Sequence, residues 1–333
     1  MKSRFPFSSF PNGWFCVATS EELRPGKVIP LHYFGKDLVL FRTEDGKPHL
    51  LDAYCPHLGA HLGYGGRVQG NNIQCPFHGW VFNGNGHCIN IPYAGKVPSK
   101  AQIVSWPIRE VNGVILVYHH SQGEPPSWEI PELSEYSSKE WTRFRHVRRW
   151  KIRSHIQEVL ENGVDIAHLP FLHSSSVVAV KNHTLKTNGS ILFHSYTLTY
   201  NIVSTFAGIF GSKAEGSLKV ISYGLGCELS RIHAKLLIVL KFLILLWITP
   251  IDEEYIDVRL VFSMKKVLNK PITYILEVII SNNVTRTVKE DFPLLEHKIY
   301  YNEPILCEGD GPLMQFRRWA HQFYSSLAAK IKP

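Results

Sequence analysis

The sequence predicts an α+β chain, a small all-β domain followed by a larger domain of antiparallel sheet and helices. Three observations predict it. The first third breaks into short strand-like runs, Lys27–Phe34, Asp37–Thr43, His49–Cys55, Asn72–Phe82, Gly86–Pro92, Ser105–Gly113 and Val114–His120, each bounded by turn residues. A stretch rich in Pro, Ser and Glu follows, Ser121–Trp141, which reads as a linker or extended arm. From Arg143 the character changes: His155–Leu169 looks helical and runs into Pro170, alternating strands run from about Thr184 to Met264, and Thr285–Phe292 looks helical again.

The composition agrees. The 333 residues suit one large or two ordinary domains, and 44% apolar with 19% charged residues describes a globular chain. Six cysteines are too few for a disulfide scaffold. The net charge of +8 permits nucleic acid, an anionic membrane or an acidic protein and selects none of them. The basic run Arg143, Arg145, Arg148, Arg149, Lys151 and Arg153 has the spacing of one exposed strand face, although it could also dock an acidic redox partner. No aromatic-interleaved basic motif accompanies the run, so no nucleic-acid function is expected. The N-terminus has Pro6 and Pro11 and no apolar core of a signal peptide. The most apolar stretch, Leu236–Ile248, is shorter than the roughly 20 residues of a spanning helix. It carries Lys241 in its middle and reads as two buried strands joined near that lysine. The expectation is a cytoplasmic protein with reduced thiols and no transmembrane segment.

The sharpest motif is Cys55-Pro56-His57, then Cys75-Pro76-Phe77-His78, with Gly59 and Gly79 closing the two hooks. Two thiolates and two imidazoles could bind zinc. The alternative is a [2Fe–2S] cluster with two cysteines on one iron and two histidines on the other. The pairing favours the cluster, because each hook offers one sulfur and one nitrogen and two facing loops can clamp a two-iron rhomb from both ends. Zinc fingers more often pair cysteines first and then histidines on a helix. Cys16, Cys88, Cys227 and Cys307 fit no ligand position and read as ordinary thiols.

These hooks resemble those of Rieske proteins, and the similarity extends over nearly the whole chain. Respiratory Rieske proteins carry an extra cysteine in each loop; Ala60 and Phe77 occupy those places here. The resemblance therefore implies a potential toward the low end of the Rieske range, roughly −150 mV, which suits an oxygenase or a ferredoxin.

A second site is written in Asp165-Ile166-Ala167-His168-Leu169-Pro170-Phe171-Leu172-His173. Two histidines five apart would diverge on an unbroken helix. Pro170 is expected to break it between them, so that His168 ends the helix, His173 swings in from the following turn, and Asp165 sits one helical turn before His168. Two histidines and one carboxylate form the facial triad of non-haem Fe(II) sites. The D-x-x-H-x-x-x-x-H run resembles the mononuclear iron motif of Rieske oxygenases. That resemblance implies His168, His173 and Asp291 as iron ligands, with Glu290 and Glu296 as fallback carboxylates. It implies Asp165 as the bridge between centres, accepting a hydrogen bond from His168 and one from His78 of the partner subunit in a head-to-tail homotrimer.

Phe10–Val28, Leu51–Gly63, Cys75–Tyr93 and the late His297–Leu306 and Phe316–Ser325 resemble the sterol and steroid branch, cholesterol 7-desaturases and 3-ketosteroid 9-alpha-hydroxylases. The chain is expected to lack the N-terminal membrane segment of the animal desaturases, and Thr184–Pro271 carries few shared phrases. The implied organisation is a Rieske [2Fe–2S] domain over residues 1–122, a linker over 123–142 and a helix-grip-like catalytic domain over 143–333. The implied activity is O2-dependent hydroxylation or desaturation of a lipophilic, steroid-like substrate by the oxygenase component of a multi-component system. No nicotinamide or flavin signature is evident. NAD(P)H would therefore act only through a separate reductase, with or without a ferredoxin. The same chemistry on a specialised metabolite, an alkaloid or pigment, is the alternative. A pure Rieske electron carrier is the third reading, and the histidine pair with Asp291 argues against it.

Overall fold

The structure is a computed structural model that describes residues 4–7, 10–175, 177–201, 213–235 and 238–325. It forms two compact units, one of residues 12–131 with 249–253, the other of residues 1–11, 132–248 and 254–333.

The first unit is all β. Strands β1 (Gly13–Thr19), β2 (Val28–Tyr33), β3 (Lys36–Arg42), β4 (Pro48–Asp52), β5 (Arg67–Gln69), β6 (Asn72–Gln74), β7 (Val81–Asn83), β8 (Cys88–Asn90), β9 (Ile108–Val111) and β10 (Val114–His119) form three small antiparallel sheets, ordered β1-β10-β9, β2-β3-β4 and β5-β6-β7-β8. Asn112-Gly113 closes the β9–β10 hairpin with both residues at positive φ, 52° and 77°, the conformation in which an Asn-Gly pair matches strand twist. The run Asn72–Phe82 is split into β6 and β7 by the second hook. The arm expected over Ser121–Trp141 carries no helix or strand as far as Pro131. Trp14 Nε1 donates to the Trp128 carbonyl at 2.7 Å, and Asn112 Nδ2 donates to that of Pro131 at 3.0 Å.

The second unit has α1 (Ser134–Ser137), β11 (Arg145–Ile152), α2 (Ile156–Val164), α3 (Leu169–Leu172), β12 (Val177–Asn188), β13 (Ile191–Asn201), β14 (Lys213–Tyr223), β15 (Cys227–Lys235), β16 (Val239–Pro250), β17 (Ile256–Met264), α4 (Lys270–Glu290), α5 (Phe292–His297) and α6 (Leu313–His321). The strands form one sheet in the order β11-β17-β16-β15-β14-β13-β12. The basic run falls on β11, an edge strand whose Arg145, Arg148, Arg149 and Lys151 are exposed while Val147 and Ile152 are buried.

The apolar stretch differs from its expectation. It is not two strands joined near Lys241: β16 runs unbroken through Lys241, which pairs with His233, and the hairpin closes earlier, at Lys235 and Val239. A lysine need not break a strand when its long stem can lie along the sheet and carry the charge outward. Leu236 and Leu237 lie outside the described residues.

Helix α2 buries Ile156, Leu160 and Val164, spaced four apart on one stripe. On another side Glu161 takes a bidentate ion pair from Arg317 of α6, at 2.7 and 2.8 Å. Helix α4 starts at the Asn269 cap, whose side chain accepts from the Ile272 N–H, well before the expected Thr285. Leu276, Ile280, Val284 and Val288 pack it on Leu240, Phe242, Leu260 and Phe262 of the sheet.

At the start of α2, His155 caps the helix by accepting from the Gln157 N–H, and Phe7 stacks on its ring at 4.0 Å. Burial pushes its pKa from 6.5 down to about 3. Unfolded chains take up this proton near pH 6.5, whereas the folded protein does not until about pH 3. Stability is therefore lost as the pH falls through that window. The denaturation midpoint should drop between about pH 7 and about pH 4, and His155→Gln should flatten that dependence; an unchanged slope in the variant would count against it.

Candidate metal centres

The two hooks are built alike. Cys55 N–H donates to the Ala60 carbonyl at 2.9 Å and Gly59 N–H to that of Cys55 at 3.0 Å. Cys75 N–H donates to Trp80 at 2.8 Å and Gly79 N–H to Cys75 at 3.2 Å. Gly59 and Gly79 share a φ of 73°, which a side chain would strain. Both thiols sit in the core with Leu62, Ile73 and Phe82, while neither imidazole is fully buried. The rings of His57 and His78 lie 4.6 Å apart, and Trp80 stacks on His57 at 4.8 Å. Thiols thus pair at the inner end and imidazoles at the outer end, the donor set of a two-iron rhomb. Burial pushes the Cys55 thiol up to about 11, against the help of the His57 N–H, so its thiolate calls for a nearby cation. All six thiols are free.

The second centre brings together segments far apart in sequence. The expected break at Pro170 is corrected: α2 already ends at Val164, and Pro170 sits in the first turn of α3, where a proline costs no hydrogen bond. His168 and His173 are the two caps of that short helix, and their rings lie 5.3 Å apart at 74°. Asp165 is likewise not on a shared helical turn with His168. It caps α2, and its Oδ1 accepts from the N–H groups of Ala167 (3.0 Å) and His168 (3.4 Å), which leaves Oδ2 3.7 Å from His168 Nδ1.

Asp291 arrives from the C-cap of α4. Its Oδ1 lies 3.2 Å from His173 Nε2 and 3.9 Å from His168 Nε2. Among the described residues, His168, His173 and Asp291 are the one group of three or more such side chains whose ligand atoms all fall within 4.8 Å. Asp291 Oδ1 and His168 Nδ1 are buried without a hydrogen bond. A buried carboxylate oxygen aimed between two ring nitrogens thus lacks a partner that a metal ion would supply. Glu290 is placed behind this group, not in it: its Oε2 meets His173 Nδ1 at 2.8 Å. A carboxylate accepts that ring proton and leaves Nε2 bare, as a ligand must be. Burial opposes charging of His173, yet Asp291 and Glu290 together raise its pKa; at His168 burial prevails and lowers it. Glu296, the other fallback carboxylate, is not in the group. The supporting role of Glu290 had no signal in the sequence beyond its place next to Asp291.

Residues 13–101 match the Rieske [2Fe-2S] domain family, and residues 117–324 match the 3-ketosteroid 9alpha-hydroxylase C-terminal domain. The chain is 32% identical to a cholesterol 7-desaturase of Xenopus laevis over 99% of its length and 75% of the relative's. It is 32% identical to that of Caenorhabditis elegans, over 97% and 78%. It is 30% identical to the oxygenase component of the 3-ketosteroid-9-alpha-monooxygenase of Rhodococcus rhodochrous, over 96% and 84%. Dicamba monooxygenase bound to dicamba shares the fold, with a TM-score of 0.77 at 18% identity over 95% of this chain and 98% of that one.

Replacing Asp291 by Ala should reduce the iron of the reconstituted protein to that of the cluster alone, with the cluster spectrum intact. Replacing Glu290 by Gln should weaken mononuclear iron about 10–100-fold. Metal analysis and iron titration read both, and an Asp291→Ala protein with its full iron would refute the ligand set.

Proposed function

The chain belongs to the Rieske oxygenases with a 3-ketosteroid 9alpha-hydroxylase C-terminal domain, and on that premise we propose that it hydroxylates or desaturates a sterol or steroid-like substrate. As an oxygenase component it uses a [2Fe–2S] cluster, a mononuclear iron and O2, with electrons from a separate reductase. The observation that carries the reading is the convergence of His168, His173 and Asp291 in one group, in a chain that also holds the two hooks. In this reading Cys55, Cys75, His57 and His78 hold the cluster, residues 1–122 form its domain, 123–142 the linker, and 143–333 the catalytic domain.

The iron, when bound, supplies O2 activation at an open coordination position and so the attack on a C–H bond. The protein's own residues do the rest. Glu290 fixes the tautomer of His173. Asp165, with Oδ1 held by two backbone N–H groups, presents Oδ2 to the ring of His168. Asp165 also lines a surface cavity of about 190 Å³ with Glu158, Lys298, Tyr301, Leu306 and Arg317. An imidazole entering there from another copy, His78 of the partner subunit, would find Asp165 at its wall. This supports the bridging role of Asp165 and a homotrimer that closes head to tail. The donor of electrons would be a ferredoxin or ferredoxin reductase. Among the described residues no helix is long and apolar enough to cross a membrane, and a cytoplasmic location is proposed.

The reading is tested by single turnover. Reduced, iron-loaded protein is given sterols and 3-ketosteroids and then labelled oxygen. A labelled alcohol or a product short of two hydrogens is expected; reoxidation with every steroid unchanged would move the substrate to a specialised metabolite such as an alkaloid or pigment. Replacing Asp165 by Asn should leave both metals bound and the cluster reducible, while product per turnover falls by about 100-fold, the upper end of what a group orienting a metal ligand contributes. Unimpaired turnover in that variant would remove the bridge.

A further inference from the structure

One face of the seven-stranded sheet holds polar groups that the metal chemistry does not use. Register places Leu192, Ser222 and Glu228 in one row across β13, β14 and β15, and His194 with Val220 in a parallel row. Tyr196 follows on the same face, since alternate residues of a strand share a side. The His194 row continues through Ser230 to Ile244 of β16, on which α4 packs. Glu228 reaches α2: a Cβ added to Gly163 would lie 3.0 Å from its Oε2. The face therefore looks toward both helices that lead into the iron ligands.

His194 is 2% exposed, and its Nδ1 has no hydrogen-bond partner. Its Nε2 abuts Nε2 of His183, and the Tyr196 ring lies 4.9 Å away. Two facing Nε2 atoms share one hydrogen, so Nδ1 of His194 is either a bare acceptor or an N–H donor. Either way it is a polar atom left in an apolar interior, and something that bonds to it would relieve the cost of its burial.

We propose that His194, with Tyr196 beside it and Glu228 on the same face, anchors a neutral oxygen function, a hydroxyl or keto group, of an otherwise apolar substrate lying on this face. The proposal rests on the steroid reading and deepens it. The group recognised is neutral because these three residues offer no cation to an anion. Burial holds His194 near a pKa of about 3, hence uncharged, and holds the Glu228 carboxyl up at about 7. Sulfate esters and carboxylic acids of the same skeleton, both anionic, should be rejected.

The test uses iron-loaded holoenzyme and three probes on one skeleton: a 3-hydroxysteroid, the 3-ketosteroid, and the hydrocarbon without oxygen. Equilibrium binding and single-turnover yield are both read. Wild-type protein should prefer the oxygenated probes. His194→Phe should weaken them about tenfold, the worth of one hydrogen bond, and leave the hydrocarbon unchanged, while the cluster spectrum and the turnover of bound substrate persist. The preferred probe of the two identifies the hydroxyl or the keto group. Tyr196→Phe and Glu228→Gln make the same comparison if His194→Phe does not fold. Equal losses on all three probes, or none, overturn the anchor. Wild-type protein that binds none of them overturns the steroid reading and the anchor with it.

Discussion

Three converging atoms set the terms for the second unit: Nε2 of His168, Nε2 of His173 and Oδ1 of Asp291, the ligand set proposed for iron. Two imidazole lone pairs and a carboxylate oxygen facing one another repel in the absence of a cation, and burial removes the water that would screen them. The fold holds them together by fixing what lies behind each one. α3 is a helix of four residues whose two ends are the histidines, so its length sets their separation. α4, anchored by its apolar stripe on the sheet, delivers Asp291 at its last turn. Glu290, one residue earlier, binds the far nitrogen of His173. The N–H groups of Ala167 and His168 hold Asp165 in place. His173 is thus oriented by a hydrogen bond, and His168 is faced by a carboxylate that backbone holds.

The hooks solve the opposite problem by similar means. Their ligands are local, two or three residues apart, and the second loop repeats the backbone bonds of the first. Thiols go inward, where burial makes the Cys55 thiolate costly, and imidazoles go outward, where they are only partly buried. Local geometry is what makes these residues legible in the sequence. Cys-Pro-His and Cys-Pro-Phe-His are contiguous, and the glycines at φ 73° that close them are visible as well. Asp291 is legible only by resemblance. Nothing in Lys289-Glu290-Asp291 says which acid faces the metal; the phase of a helix that begins at Lys270 decides it.

Where sequence and structure part, the causes are physical and of the same kind. Pro170 reads as a terminator because proline cannot donate within a helix, but in a first turn no donor is missed, and the proline there starts α3. Lys241 reads as a turn because a charge in an apolar run is costly. Yet a strand between two neighbours can carry one ammonium to its margin without breaking the ladder. His183 and His194 give no signal of their own, because lone histidines in alternating strands are usually structural. Only the register, which sets His194 on one face with Tyr196 and Glu228, makes them a group.

A sheet used only as a platform for helices would be expected to be apolar where α4 covers it, and near Phe242, Ile244 and Leu246 it is. Toward α2 it is polar, with Ser222 and Glu228 in one row, and incompletely bonded, with His194 Nδ1 buried without a partner. Leaving such atoms unbonded lowers stability, and a fold that needed only rigidity would replace them with apolar groups. The group proposed to bind iron shows the same pattern, since Asp291 Oδ1 is buried there without a hydrogen bond. The same physical logic gives the polar end of the sheet a ligand with an oxygen atom, as proposed for His194.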